Sequence, residues 1–354
     1  MPKDTLVSRY IGVDLHKNSF TVCFLSADRQ DMNTEGEYTL RNFKVSPSGL
    51  KLFKSTLTKK DELAVESTGN TGYFVREIKD LVKEVKIVNP IQFKVISESV
   101  KKTDEQDAVV IARYLSKGLI PEVRIRSKEE AQLASLIGTR DKFVKLRSAL
   151  KNKIHNILNA NGVVTKREVF GSEKGLDAVL DMKLDEAYLF ELKIIVDQIH
   201  NLNKSIDEID KKLKDKGSKL KGYKNLTSIT GIGDISATVL LNTIGDVKDF
   251  KDEKKLAAYI GIVPRVHQSN ETSQYGHITK MGNKIARTAL VQSTLIAIRY
   301  NMYLRSFYLR LKAKKGSGKA IIATARKLLS IIYRTLKNDW VFEDFNKFKL
   351  VENA

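Results

Sequence analysis

Cysteine is nearly absent: Cys23 is the one thiol in a chain of 354 residues, and it lies in an apolar segment, which excludes a disulfide framework and a cysteine-based zinc site. The chain also lacks any stretch approaching the roughly 18 consecutive apolar residues of a membrane span. Its opening residues, Met1 to Tyr10, have no apolar core of the secretion-signal type. These absences place the protein in the cytoplasm, on the nucleoid if it binds DNA, with no membrane partner. Histidine is sparse as well. His16, His155, His200, His267 and His277 show no helix-face zinc spacing. Acidic residues are missing altogether between Thr272 and Asn338, where fourteen Lys and Arg fall. A solvated helix face normally mixes signs, so this asymmetry marks a nucleic-acid contact. Gly316-Ser317-Gly318-Lys319 lacks the earlier glycine and the following Ser or Thr of a phosphate loop, with Ala320 next, and reads as a flexible basic linker.

What is present is an ordinary globular composition, 42% hydrophobic and 29% charged. The length allows two or three domains at roughly 100 to 200 residues each. Against 42 Asp and Glu stand 62 Lys and Arg, a net charge of +20 that attracts polyanions.

Up to about residue 125, strand and helix signals alternate. Tyr10–Val13 leads to Asp14, a polar turn follows, and Ser19–Leu25 completes a hairpin pattern. Further strands are predicted over Glu37–Val45, Glu62–Glu66 and Val85–Val88, with a helix over Thr71–Val85. Strands joined through helices imply a partly parallel sheet with covered faces. From Ser127 the pattern turns helical. Leu192, Ile195, Ile199, Leu202, Ile206, Ile209 and Leu213 then repeat as a heptad stripe, predicting a coiled-coil arm. Its partner is either another subunit or the chain's own helix around Leu136, Phe143, Leu150 and Ile157. The repeat does not choose. Lys211–Lys221 reads as a linker or helix end, and a mostly helical third region begins near Tyr223. The expected domains are 1–125, 126–222 and 223–354.

Four acids stand out by context. Asp14 and Glu66 end strands, while Asp104 and Asp107 open a helix three residues apart and so share a face. Hard oxygen ligands from such positions suit Mg2+, and two such ions stabilise the attacking and leaving oxygens of a phosphodiester displacement. The plain alternative is that each is a surface residue, with Asp104 a helix cap.

Tyr-Ile-Gly-Val-Asp14-Leu-His-Lys, Val-Glu66-Ser-Thr-Gly, Asn89-Pro90 and Lys102-Thr-Asp104-Glu-Gln-Asp107-Ala resemble the DEDD signature of the IS-one-ten family of insertion-sequence transposases. The resemblance implies a RuvC-like, RNase H-type first domain with Asp14, Glu66, Asp104 and Asp107 as metal ligands, Mn2+ being a possible substitute for Mg2+. It continues through Leu226–Ala237 with Gly231-Ile-Gly233, through Leu256–Pro264 and through Gly276–Asn283. By position after Pro264, it implies Ser269 as a serine nucleophile, although Gln268-Ser269-Asn270-Glu271 replaces the family's Ser-Gly-Gly context. It further implies a structured guide RNA encoded by the element.

Gly231-Ile232-Gly233 also reads as a helix-hairpin-helix turn whose amides can meet a phosphate. Thr279, Lys280, Asn283, Lys284 and Arg287 read as DNA-backbone contacts. His16 and His267, close in sequence to the candidate catalytic residues, are candidates for acid–base work. The expected protein is a DNA transposase or recombinase acting as a dimer or tetramer through its arm. The rivals are a Holliday-junction or RNase H-type nuclease that uses only the acids, and a non-catalytic nucleic-acid-binding protein.

Overall fold

The computed structural model of the protein describes residues 7–27, 37–90, 92–93, 103–124, 126–269 and 272–341, with the backbone alone at 267–269 and 272–275. It divides into two compact units, Met1–Ala131 and Gln132–Ala354. No helix among the described residues is long and apolar enough to cross a membrane.

The first unit is a mixed α/β layer. Strands β1 (Arg9–Leu15), β2 (Ser19–Ser26) and β3 (Tyr38–Lys44) form an antiparallel meander. After helix α1 (Pro47–Lys54), β4 (Asp61–Glu66) lies parallel to β1. After α2 (Thr71–Ile78), β5 (Glu84–Val88) lies parallel to β4. Helix α3 (Asp104–Ser116) and the short β6 (Glu122–Val123) complete a sheet ordered β3-β2-β1-β4-β5-β6.

Residues alternate across the sheet, as the two-residue strand period requires. Ile11, Val13, Phe20, Val22, Phe43, Leu63 and Val65 point to one face, where they bury Phe53 of α1 and Phe74 of α2. The ring of Phe20 lies 5.1 to 5.3 Å from those of Phe43, Phe53 and Phe74. On the other face Cys23 and Leu25 meet Ala108, Val109 and Ala112 of α3. Burial pushes the Cys23 thiol up to about 12, so it stays an inert thiol in this layer.

Two departures from the sequence reading have local causes. Ser46-Pro47-Ser48-Gly49 suggests only the end of a strand, yet Ser46 accepts a hydrogen bond from the Gly49 amide and Pro47 opens α1, where its missing N–H is no loss. Helix α2 stops at Ile78 instead of running to Val85.

All but the first four residues of α4 (Lys128–Ala160) lie in the second unit, where α4 runs antiparallel to α6 (Glu186–Ser218). Arg140 pairs with Asp210, Arg147 Nη1 donates to Asn203 Oδ1 at 2.8 Å, and Lys153 meets Glu191 at 3.0 Å. Leu192, Ile195 and Ile199 of the heptad stripe pack with Ile154, Ile157 and Leu158, so the chain's own helix covers that part of the stripe. Lys211–Lys221 is a helix end and no linker: α6 runs through it to Ser218, and a Cβ on Gly217 would lie 1.9 Å from Thr238 Oγ1.

Helices α5 (Glu173–Asp177), α7 (Tyr223–Thr227), α8 (Asp234–Ile244), α9 (Glu253–Ile260), α10 (Lys284–Tyr300) and α11 (Met302–Lys337) follow, with a hairpin of β7 (Pro264–Ser269) and β8 (Thr272–Ile278). That hairpin interrupts the mostly helical third region that the sequence suggested. Gly316–Lys319 lies inside α11, which breaks at Gly316 with φ 76, so this segment is a helix kink and not a linker.

Gly12 sets the approach of α3 to β1. A Cβ there would sit 2.1 Å from the Ala108 carbonyl oxygen and 2.5 Å from the Ala112 amide nitrogen, both backbone atoms that cannot step aside. Gly12→Ala should destabilise the protein by about 1–3 kcal/mol, the usual range for overpacking. Gly138, in α4 with open space around it, should gain up to about 1 kcal/mol on substitution by Ala. Urea denaturation of both variants checks the contrast.

Candidate active site

The sheet brings two carboxylates side by side. Val13 of β1 pairs with Val65 of the parallel β4, so the next residues, Asp14 and Glu66, stand together where the strands end. The close seat of α3 over Gly12 then carries the first turn of that helix to the same place. Thr103 caps α3 by accepting from the Gln106 amide at 3.2 Å, so Asp104 is not the cap and its carboxylate is available for other work. Asp107, one turn on, is buried.

The turn between β1 and β2 supplies a fifth group. The amide of His16 donates to Ser19 O at 3.0 Å, and Asn70 Nδ2 donates to the carbonyls of His16 and Lys17, each at 3.3 Å. The ring so placed puts Nε2 at 3.0 Å from Asp14 Oδ2 and 3.2 Å from Asp104 Oδ1. Asp14 is 3% exposed at its side chain, against 52% for His16 and 58% for Asp104. Ligand atoms of the three lie within 4.8 Å of one another. Asp14 Oδ2 is sealed from solvent and has no hydrogen-bond donor aligned on it.

The ligand atoms that meet are those of Asp14, His16 and Asp104, and Glu66 and Asp107 act on Asp14 through their charge. Burial pushes the Asp14 carboxyl up to about 6; the charge of His16 opposes this, and the negative charges of Asp104, Glu66 and Asp107 add to it. For His16, burial works downward, yet the charge of Asp14 and the hydrogen bond and charge of Asp104 leave it raised. Two carboxylates at the 4.8 Å limit repel by about 1 kcal/mol in water and about 3.5 kcal/mol at an effective dielectric near 20. A helix N-terminus returns only about 0.3–1 kcal/mol per exposed acid. With Glu66 and Asp107 adding to the repulsion, the cluster favours a cation. Its hard oxygen donors and the orphaned Asp14 Oδ2 fit a divalent metal ion.

In the second unit Ser269 is the last paired residue of β7, opposite Thr272, so it stands at the far end of a hairpin and not in an open loop. The near end of the hairpin is fixed by two glycines. Gly261, with φ 78, leaves no room for a Cβ beside the Met281 carbonyl, and Gly282, with φ 107, leaves none beside the Tyr259 carbonyl. Lys280 N donates to Gly261 O at 3.1 Å, and Thr279 N donates to Val263 O at 2.9 Å.

Of the five basic-stretch candidates, Asn283 caps α10 through the amides of Ile285 and Ala286, and Arg287 Nη1 donates to Ile260 O at 2.8 Å. Both serve the framework. Thr279 is half-buried, and Lys280 and Lys284 are exposed. Gly231, with φ 103, would press a Cβ against the Ala297 amide and the Ser293 carbonyl of α10, so its backbone packs directly on that helix.

One family model, described as a transposase, matches residues 11–161. Another, the transposase IS116/IS110/IS902 family, matches residues 223–309. The chain belongs to the IS116/IS110/IS902 transposase family. The transposase for insertion sequence element IS1111A of Coxiella burnetii is 25% identical over 93% of this chain and 89% of its own length. The transposase for insertion sequence element IS1328 of Yersinia enterocolitica is 29% identical over 82% of this chain and 83% of its own. The pilin gene-inverting protein of Moraxella lacunata is 28% identical over 94% of this chain and 97% of its own.

All four acids, and the backbone of Ser269, lie in segments that the two models match. Sequence reasoning did not place His16 between Asp14 and Asp104. The signal was present, since residues two apart on an extended chain share a face.

The raised Asp14 pKa has a direct consequence for the transposase. Below about pH 6 its carboxyl carries a proton that an entering cation must displace, so protons compete with metal at low pH and cease to above it. Apparent Mg2+ affinity, measured by calorimetry, should fall about tenfold per pH unit below pH 6 and level off about one unit above it. Affinity unchanged across this window would contradict the assignment.

Proposed function

We propose that this transposase cuts and rejoins DNA as the recombinase of an insertion sequence, with Asp14, Glu66, Asp104 and Asp107 holding divalent cations and Ser269 acting as nucleophile. The observation that carries this reading is the meeting of Asp14 from a strand end with Asp104 from a helix start, beside the neighbouring strand end that bears Glu66. The mixed sheet beneath them supports the RuvC-like, RNase H-type fold that the sequence resemblance implies. A bound pair of Mg2+ ions supplies charge stabilisation for the attacking and leaving oxygens of phosphodiester displacement.

The chain's own residues do the rest. Asp14 and Glu66 are held rigid by the sheet, so they orient the site at little conformational cost. Asp104 and Asp107 close it from α3. The Ser269 hydroxyl gives up its proton, its oxygen bonds to phosphorus, the P–O bond to the departing sugar breaks, and the sugar oxygen takes a proton. The product is a phosphoserine link to DNA, which preserves the bond energy for rejoining. Similarity to a pilin gene-inverting protein along almost the whole chain supports rearrangement of DNA over simple degradation. The exposed cations between Thr272 and Asn338 grip the phosphate backbone, and the same charge suits a structured guide RNA encoded by the element. Because the chain's own α4 covers the start of the heptad stripe, assembly as a dimer or tetramer, at the nucleoid where the DNA lies, would use the outer face of the arm, where Leu146, Phe190 and Ile194 are exposed.

Replacing both Asp14 and Asp104 with Asn should leave DNA binding intact and abolish Mg2+-dependent cutting. Ser269→Ala should abolish covalent protein–DNA adducts and strand exchange, as read by denaturing gels. Continued free-end cutting by the serine variant would reduce the protein to a nuclease.

The exposed cations should also separate from the framework ones. Lys280→Gln with Lys284→Gln should weaken DNA binding and lower the slope of log affinity against log salt by about 1–2. Arg287→Ala, which strands the Ile260 carbonyl, should instead lower the melting temperature. Melting curves and binding at several salt concentrations distinguish the two effects.

A further inference from the structure

We infer that His16 is itself a metal ligand of this site, so that the centre is a mixed nitrogen–oxygen one and not an all-carboxylate one. The inference rests on the reading of the acid cluster as a divalent-cation site and adds a residue to it. Adjacent vertices of an octahedron of radius about 2.1 Å are separated by about 3.0 Å. His16 Nε2 lies 3.0 Å from Asp14 Oδ2 and 3.2 Å from Asp104 Oδ1, the spacing of neighbouring donors around one ion.

The same ring nitrogen lies beside an oxygen of each carboxylate, so the three donors border one small space that a cation can take in place of the ring proton. The ring is also held to that place from behind. The His16 amide is bonded to Ser19 O and its carbonyl receives Asn70 Nδ2, which fixes the backbone that presents it. The ring is half-exposed, so an ion can reach it without unfolding anything.

The chemical consequence is a change in metal preference. Carboxylates alone suit Mg2+, whereas an imidazole in the set favours later divalent metals and shifts the balance toward Mn2+. The site should therefore bind Mn2+ more tightly than Mg2+, with His16 responsible for the difference.

The test uses the full-length protein and Mn2+, followed by electron paramagnetic resonance, with His16→Gln, His16→Ala and Asp14→Asn variants whose folding is checked by circular dichroism. In the wild type, bound Mn2+ should show nitrogen hyperfine coupling. Both His16 variants should lose the coupling, keep Mn2+ with about tenfold lower affinity, and change little toward Mg2+. Mn2+ that binds through Asp14 but shows no nitrogen coupling, or coupling that survives in both His16 variants, overturns the inference and leaves the carboxylate site standing. Mn2+ binding that Asp14→Asn does not alter overturns the carboxylate reading itself, and this inference with it.

Discussion

The seat of α3 on β1 at Gly12 is the constraint on which the candidate site depends. Asp14 and Glu66 are neighbours by strand register alone, and that pairing would persist in any sheet of this order. Asp104 and Asp107 have no such guarantee, because they lie some ninety residues along the chain from Asp14 and reach it only as far as a helix can approach the strand. A glycine where α3 crosses allows backbone to meet backbone, and the first turn of the helix arrives over the strand ends. The arrangement works against electrostatics. Like charges crowd a partly buried spot, the helix N-terminus and His16 offset some of the repulsion, and the remainder is expressed as a carboxyl that holds its proton up to about pH 6.

The second unit solves a different problem with the same device. Gly261 and Gly282 lock two loops back to back, and the hairpin that rises from them carries Ser269 at its far end. After it, between Thr272 and Asn338, the sequence carries fourteen Lys and Arg and no acid. Two residues that sequence suggested for DNA contact also hold the framework. Asn283 caps a helix and Arg287 holds the end of another.

Much of the first unit could be read from the chain because its strands alternate cleanly and its acids fall at strand ends. The helix after β3 could not, because Ser-Pro-Ser-Gly serves equally as a turn and as a helix start, and only the cap hydrogen bond distinguishes them. The heptad stripe of α6 was plain in sequence, whereas its partner was not, since a period says which face is apolar and nothing about what covers it. The hairpin bearing Ser269 was hidden for a related reason: its short, polar strands lack the apolar alternation that marks a half-buried sheet. The role of Gly12 was invisible too, because a close backbone approach leaves no pattern in a single sequence. His16 was legible as a neighbour of Asp14, but its second neighbour, Asp104, is brought to it by the fold alone.

The central claim is that acids scattered over the first third of the chain form one cation site. A crystal of the protein soaked in Mn2+ and measured for anomalous scattering tests it most directly. The strongest anomalous peak should lie within coordinating distance of Asp14 and Asp104, beside Glu66 or Asp107. A strongest peak elsewhere, or none at Asp14 at a Mn2+ concentration that supports DNA cutting, would contradict it.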